Sequence, residues 1–140
     1  MRFWDASALI PLIVRERVSD EALSLHRADA DVVVAWTATI ECASACVRRH
    51  RDRAISDDEL VSLLTRLRQL SGHWNVTEPT GELRSSAERL VARHGLHAGD
   101  AIQLASASAA AGQVRSTIDF VCFDRRLALA ATAEGLRVLP

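Results

Sequence analysis

The sequence predicts an α/β domain around a mainly parallel sheet of four to five short strands. Short apolar runs such as Val32-Val33-Val34 alternate with longer segments whose apolar residues recur at helical spacing. Strands separated by helices pair in parallel through right-handed crossovers. At 140 residues, 49% of them hydrophobic, the chain has enough apolar side chains for one core. We therefore expect one domain over residues 1–140, without an internal repeat.

The first third of the chain contains two predicted strands and three helices. Residues 2–4 form a short strand that ends at Asp5. Residues 8–13 form a short helix with Pro11 in its first turn, where the missing N–H is tolerated. Further elements are a helix from Ser19 to about Arg27, a doubly buried strand at 31–35 and a helix from its cap Thr37 to about Arg51.

Start and stop signals mark the remaining elements. Ser56–Glu59 is a capping box that opens a leucine-rich amphipathic helix, and Gly72 ends it. Residues 75–77 form a strand, and Pro79-Thr80 introduces a helix that ends near His94-Gly95. The last elements are a helix from Asp100 to about Ala111, closed by Gly112, a strand at 120–123, a helix at 125–134 and a strand at 136–139.

Charge and apolar runs exclude several classes of protein. Seventeen basic and eighteen acidic residues nearly balance, so bulk charge does not attract nucleic acid. No apolar run approaches the roughly 18 residues of a membrane span. Asp5 and Pro11 interrupt the first apolar run, so we expect no signal peptide and a cytoplasmic protein. The odd number of cysteines, Cys42, Cys46 and Cys122, indicates reduced thiols.

Four acidic residues lie where the predicted elements would bring them together. Asp5 and Asp124 follow strands, Glu41 lies in the first turns of a helix, and Asp100 opens another. The carboxyl ends of parallel strands and the following helix starts meet at one edge of the sheet. Carboxylates gathered there repel one another unless they bind a cation, and oxygen ligands favour Mg²⁺ or Mn²⁺.

Helix capping explains the same acids one by one. Aspartate is a favoured N-cap, and Asp100–Gln103 fits a capping box. Glu41 would also favour the dipole of its helix. The residues by themselves leave both interpretations open.

Four segments, in order, resemble the motifs of the PIN-domain family and specifically the small VapC-type bacterial toxins. The segments are Phe3–Leu9, Thr37–Ala45, Asp100–Ala105 and Val121–Leu127. The resemblance extends over essentially the whole chain. It implies a three-layer α/β/α PIN-like fold and an endoribonuclease that uses Mg²⁺ or Mn²⁺ to cleave RNA. It further implies a homodimer that acts as a toxin until a VapB-like antitoxin neutralises it.

The resemblance also assigns roles to individual residues. Asp5, Glu41, Asp100 and Asp124 become the catalytic, metal-binding quartet, with Ser7 as a helper beside the first carboxylate. We expect Asp5 and Asp100 to contact the ion directly and the other two to complete the shell. We expect an antitoxin segment to place an Arg or Lys near these carboxylates. Cys122 departs from the family pattern, which more often has Thr or Ser there. Asp119 also competes for the fourth position, but it precedes its strand and would lie at the opposite edge of the sheet.

Several other residues have a possible functional role, but each also has a simpler structural explanation. Arg48, Arg125 and His97 are candidate RNA contacts, although a basic helix end and a loop histidine explain Arg48 and His97 equally well. Cys42, Cys46 and His50 share one helix face, but without a fourth ligand we favour buried core cysteines over a zinc site. The leucines from 60 to 70 face either the core or an interface.

Two other functions remain alternatives. One is a catalytically silent PIN-like binding or regulatory module whose acids are only helix caps. The other is a metal-dependent phosphatase, which Ser7 opposes because such enzymes usually place a second Asp two residues after the first.

Overall fold

The computed structural model, which describes residues 1–113 and 117–140, contains a five-stranded parallel sheet between two layers of helices. The strands are β1 (Arg2–Trp4), β2 (Val32–Ala35), β3 (Asn75–Thr77), β4 (Asp119–Val121) and β5 (Arg137–Leu139). Their order in the sheet is β3-β2-β1-β4-β5, and every neighbouring pair is parallel. The helices are α1 (Ala6–Ile13), α2 (Ser19–Ala28), α3 (Ala38–Arg51), α4 (Asp57–Ser71), α5 (Gly81–His94), α6 (Ala98–Gln113) and α7 (Arg125–Ala133).

Successive side chains of each strand pack into two separate hydrophobic cores, one on each face of the sheet. Phe3 and Phe120 point towards α5, α6 and α7, where their rings stack with centroids 5.7 Å apart. Trp4 and Val34 point the other way, into a core shared with α1–α4. This arrangement follows from the two-residue period of a strand, which sends neighbouring side chains to opposite faces. The predicted three-layer α/β/α architecture is confirmed.

The leucine-rich helix α4 packs its apolar face on the second core. Leu67 is buried, and four other leucines are partly buried against the same cluster: Leu60, Leu63, Leu64 and Leu70. The capping box predicted at its start is present, with both reciprocal bonds between Ser56 and Glu59. The leucine stripe therefore belongs to the core.

The cysteines of α3 are core residues, as favoured from the sequence. Cys42 and Cys46 are buried, and burial raises the pKa of both thiols. The imidazole of His50 instead forms a 2.6 Å hydrogen bond with the Asp57 carboxylate. Neutral thiols packed beside Leu67 and Trp74 need no metal to explain them.

Several predicted boundaries were wrong by one or two residues. Helix α1 begins at Ala6, so Pro11 lies in its interior rather than in its first turn. Helix α6 begins at Ala98 and continues through Gly112, so Asp100 does not open it. Strand β4 runs over Asp119–Val121 instead of 120–123. The shift of β4 has a physical cause, since the Phe123 N–H bonds the Ser7 hydroxyl rather than a strand.

No helix within residues 1–113 and 117–140 is long and apolar enough to cross a membrane.

Candidate metal and active site

The central strand β1 and its neighbour β4 end side by side and place Asp5 next to the segment that carries Asp124. Trp4 is in register with Val121, and the Asp5 N–H donates to the Val121 carbonyl at 3.0 Å. From β1 the chain crosses to β2 on one side and later returns to β4 on the other. The carboxyl end of such a switch in strand order is where open α/β sheets bind their ligands.

Asp5 is a buried carboxylate that also caps a helix. Its side chain is 4% exposed, and its Oδ2 accepts the N–H of Ser7 at 2.9 Å as the N-cap of α1. The Cys122 sulfur lies 3.7 Å from the same oxygen. Burial raises the pKa of Asp5 to about 6, and the charge of Glu41 adds to this rise against the lowering by Ser7. The capping interpretation is correct for Asp5, yet capping does not require this burial.

Glu41 is held by two neutral donors. The hydroxyl of Thr37 donates to Glu41 Oε1 at 2.6 Å, and the side-chain amide of Gln103 donates to the same oxygen at 2.9 Å. Thr37 occupies the N-cap position of α3 without a side-chain capping bond, so its predicted capping role was wrong. The capping box of Asp100 with Gln103, the alternative explanation from the sequence, is not formed by the Gln103 amide, which donates to Glu41.

Asp100 and Asp124 form a second acidic pair. Asp124 caps α7 through Oδ1, which accepts the Leu127 N–H at 2.9 Å. Asp100 lies within the first turn of α6 rather than at its cap. Partial burial raises the pKa of Asp100 and the charge of Asp124 raises it further, whereas the nearby His97 and Arg126 lower it. Charge repulsion therefore acts within two pairs of acids, Asp5 with Glu41 and Asp100 with Asp124.

Ser7 links the two strand ends. Its Oγ accepts the N–H groups of Phe123 and Asp124 at 2.9 and 3.1 Å, and lies 3.7 Å from the Cys122 sulfur. The Cys122 thiol stays protonated because burial, as the largest cause, raises its pKa to about 12. The Cys122 thiol is therefore a weak neutral donor next to the Asp5 carboxylate.

The three predicted RNA contacts, Arg48, Arg125 and His97, are all exposed near this edge of the sheet. Arg48 is exposed and lines an open groove of about 670 Å³ together with Ser7, Asp124 and Arg17. Arg17 was not singled out from the sequence. Arg125 is exposed directly after Asp124, and His97 is exposed directly before α6.

Asp119, the competing acid, lies at the opposite edge of the sheet, as expected. It is the first residue of β4, and its Oδ2 accepts the guanidinium of Arg137 at 2.6 Å. Arg2 is also 3.8 Å from the same oxygen. Asp119 is therefore a structural ion-pair residue.

The carboxylate oxygens of this site are ligands that Mg²⁺ and Mn²⁺ prefer, but they do not surround a single point as a complete coordination shell would. Within the described ranges, no three His, Cys, Asp or Glu side chains are grouped closely enough to hold a metal ion together. In the hydrogen bonds of this edge, Asp5, Glu41 and Asp124 each accept through one oxygen only. Mg²⁺ commonly uses one or two carboxylates plus water. The residues present fit an ion held in that way, with Asp5 buried beside Glu41 as the most suggestive pair.

Sequence relatives of this chain are ribonucleases by name. No family model matches the sequence. Ribonuclease VapC45 from Mycobacterium tuberculosis strain CDC 1551 / Oshkosh is 29% identical over 141 residues, which cover 99% of this chain and 94% of the relative. Ribonuclease VapC49 from strain ATCC 25618 / H37Rv of the same species matches with the same identity and coverage.

Solved structures share the fold at lower identity. The crystal structure of PAE2754 from Pyrobaculum aerophilum matches with a TM-score of 0.70 and 18% identity, over 98% of this chain and 87% of that chain. FitAcB from Neisseria gonorrhoeae matches with a TM-score of 0.70 and 14% identity, over 100% of this chain and 97% of that chain. Together, the full-length VapC relatives and the shared fold confirm the resemblance to VapC-type PIN-domain proteins that the four sequence motifs indicate.

Proposed function

We propose that this protein is a divalent-metal-dependent endoribonuclease that cleaves RNA phosphodiester bonds. The observation that supports it most directly is the burial of Asp5 beside Glu41 at the carboxyl end of the central strand. A carboxyl group with a pKa raised by burial and by a second acid is typical of a functional site. The names of the VapC relatives support the same reaction.

In this proposal, Asp5 and Asp100 bind Mg²⁺ or Mn²⁺ directly, and Glu41 and Asp124 complete the shell through water molecules held by the ion. A bound divalent ion would polarise the scissile phosphate and lower the pKa of a bound water. Ser7 fixes the relative position of the two strand ends by accepting two N–H groups from the segment that carries Asp124. The cap bonds hold Asp5 and Asp124 in place before any ligand binds.

The basic residues around the groove provide the attraction to RNA that the net charge of −1 does not. Arg48 and Arg17 line the same groove as Asp124 and can contact phosphates on either side of the bond that is cut. Arg125, directly after Asp124, and His97, directly before α6, are also exposed and would contact the same RNA strand. Arg49 is less available, because it forms an ion pair with Glu16.

We further propose that the protein is a toxin neutralised by a cognate VapB-like antitoxin in the cytoplasm. An Arg or Lys from the antitoxin, placed beside Asp5 and Glu41, would satisfy their charges and compete with the ion. The proposed homodimer has a candidate face in an apolar groove of about 520 Å³, whose lining includes Trp36, Val91 and Ile102. Trp36 and Val91 are 41% and 40% exposed, which is unusual for large apolar side chains unless a partner covers them.

A catalytically silent module is the second candidate, and one observation favours it. Asp5 and Asp124 do cap α1 and α7, so both have a structural role without any reaction. Glu41 and Asp100 form no capping bond in the part of the chain that the structure describes: Glu41 bonds two side chains, and Asp100 lies inside its helix. The phosphatase alternative would need a carboxylate at the position of Ser7, whose hydroxyl instead accepts two backbone N–H groups.

The test is cleavage of single-stranded RNA by purified protein with Mn²⁺ or Mg²⁺, followed by sequencing of the new RNA ends. We expect defined internal cuts that disappear with EDTA and in both Asp5→Asn and Asp100→Asn. Glu78→Gln, an exposed loop residue, is the matched control and should cleave normally. Metal-independent cutting, or full activity in Asp5→Asn, would contradict the proposed reaction. Co-expression with the adjacent small reading frame tests the antitoxin.

A further inference from the structure

Both hydrogen bonds that fix Glu41 go to one of its two oxygens. Thr37 Oγ1 lies 2.6 Å and Gln103 Nε2 lies 2.9 Å from Glu41 Oε1. Oε2 instead faces the first turn of α6, where a Cβ built on Gly99 would lie 3.7 Å away. Thr37 and Gln103 thus restrain the carboxylate while Oε2 takes neither bond.

We infer that Thr37 and Gln103 are positioning residues, which present Glu41 Oε2 to the divalent ion of the proposed nuclease site. This inference rests on the proposed function. An ionised carboxylate only accepts hydrogen bonds, so the Thr37 hydroxyl and the Gln103 amide must both act as donors. Two neutral donors fix the orientation without neutralising the charge, whereas an Arg or Lys at either position would compete with the ion.

Gln103 is an unusual residue to bury unless it has such a role. It is 0% exposed in a helix whose other buried residues are mostly Ala and Leu. Its Oε1 has no hydrogen-bond partner among the residues that the structure describes. Burying an amide with one group unpaired is unfavourable, so an apolar residue would suit the core better. Within residues 1–113 and 117–140, the side-chain amide forms one hydrogen bond, to Glu41.

Gln103 also couples two parts of the site. It lies three residues after Asp100 on α6, on the same side of the helix, while Glu41 lies on α3. The Gln103–Glu41 bond therefore links the two helices that carry Asp100 and Glu41. Thr37 restrains Glu41 from the start of α3 itself, four residues earlier.

The test measures Mn²⁺ binding to the protein without RNA, by calorimetry. Thr37→Val removes the hydroxyl at nearly constant shape, and Gln103→Leu removes the amide. We expect each to weaken Mn²⁺ binding about 10-fold or more, as is usual when a residue that orients a ligand is lost. Thr37→Ser keeps the donor and should bind Mn²⁺ within about 3-fold of the parent protein, a rescue that follows from retaining this bond.

Ser106→Ala is the matched control on the same helix. Its hydroxyl is buried and without a partner in the described part of the chain, so its removal should leave Mn²⁺ affinity unchanged. Thermal unfolding in EDTA separates loss of fold from loss of metal. Should Gln103→Leu fail to fold, the half-buried Thr37 decides the question through Thr37→Val and Thr37→Ser.

Different results would overturn the proposed nuclease function and the positioning role of Thr37 and Gln103. If the parent protein binds no Mn²⁺ and cuts no RNA, the proposed function is wrong. If the parent protein binds and cuts normally but Thr37→Val binds Mn²⁺ equally well, only the positioning role is overturned. Weaker binding by Thr37→Val that Thr37→Ser restores would support it.

Discussion

Replacing Asp5 with Asn should stabilise the metal-free protein while abolishing its activity. Asp5 is 4% exposed, and its pKa is raised from the usual 3.8 to about 6, with burial as the main cause. At pH 7 the folded protein must keep this buried carboxylate ionised, which is unfavourable. Asparagine has nearly the same shape, retains an oxygen for the Ser7 N–H and carries no charge.

The expected gain follows from the size of the pKa shift. Each pKa unit corresponds to about 1.4 kcal/mol, so the shift of Asp5 corresponds to a penalty of about 3 kcal/mol above pH 6. In a chain of this size, 3 kcal/mol raises the melting temperature by about 10 °C. The pKa of Asp5 is higher in the folded protein than in the unfolded chain. The free energy of unfolding of the parent protein therefore falls as the pH rises from about 4 to 6.

The assay is urea unfolding in EDTA at several pH values between 4 and 8. We expect Asp5→Asn and the parent protein to be nearly equally stable at pH 4 and to diverge by pH 7. Glu78→Gln removes an exposed carboxylate and should show no such divergence. If the parent protein and Asp5→Asn are equally stable at pH 7, the buried charge of Asp5 does not lower the free energy of unfolding and this prediction is wrong.

Three further predictions follow from the site. Mn²⁺ at about 100 times its dissociation constant should raise the free energy of unfolding of the parent protein by about 2.7 kcal/mol but leave Asp5→Asn unchanged, as measured by urea unfolding with and without the ion. Ser7→Ala should lower the free energy of unfolding by about 1–3 kcal/mol, because two N–H groups lose their acceptor; Ser7→Thr, which keeps a hydroxyl, is the control. Arg48→Ala should reduce the salt dependence of single-stranded RNA binding by about 0.7 in the log–log slope. Arg51→Ala, from the same basic run but outside the groove, should leave that slope unchanged, and equal slopes for both variants would exclude Arg48 as an RNA contact.

The elements were predictable from the sequence because their signals are local. The β-branched run of β2 is fully buried, and the capping box at Ser56 forms both of its bonds. Gly95 ends α5 with a φ of 62°, the left-handed conformation that favours glycine. The positions of Asp5 and Asp119 at opposite edges also followed, because each adjoins one end of a short strand.

The interior of the site was not predictable, because its bonds join distant parts of the chain. Gln103 fits a capping box with Asp100 in the sequence, and only the approach of α6 to α3 reveals Glu41, 62 residues away, as its partner. Likewise, Thr37 occupies the expected cap position, but its backbone there is helical and its hydroxyl turns to Glu41. Local patterns cannot rank two hydrogen-bond partners when one of them is brought in by tertiary packing. The functional roles of the acidic residues stay predictions.

The sheet order has a consequence for when the proposed site can assemble during synthesis. Asp5 is synthesised long before Asp119–Val121, the strand that pairs with β1 on its far side. A nascent chain cannot form that strand pair until Asp119–Val121 has left the ribosome. If the protein is the nuclease proposed above, a growing polypeptide has no complete reaction centre while it is tethered beside messenger and ribosomal RNA. Late closure would protect the translation machinery from its own product until a partner has had the opportunity to bind.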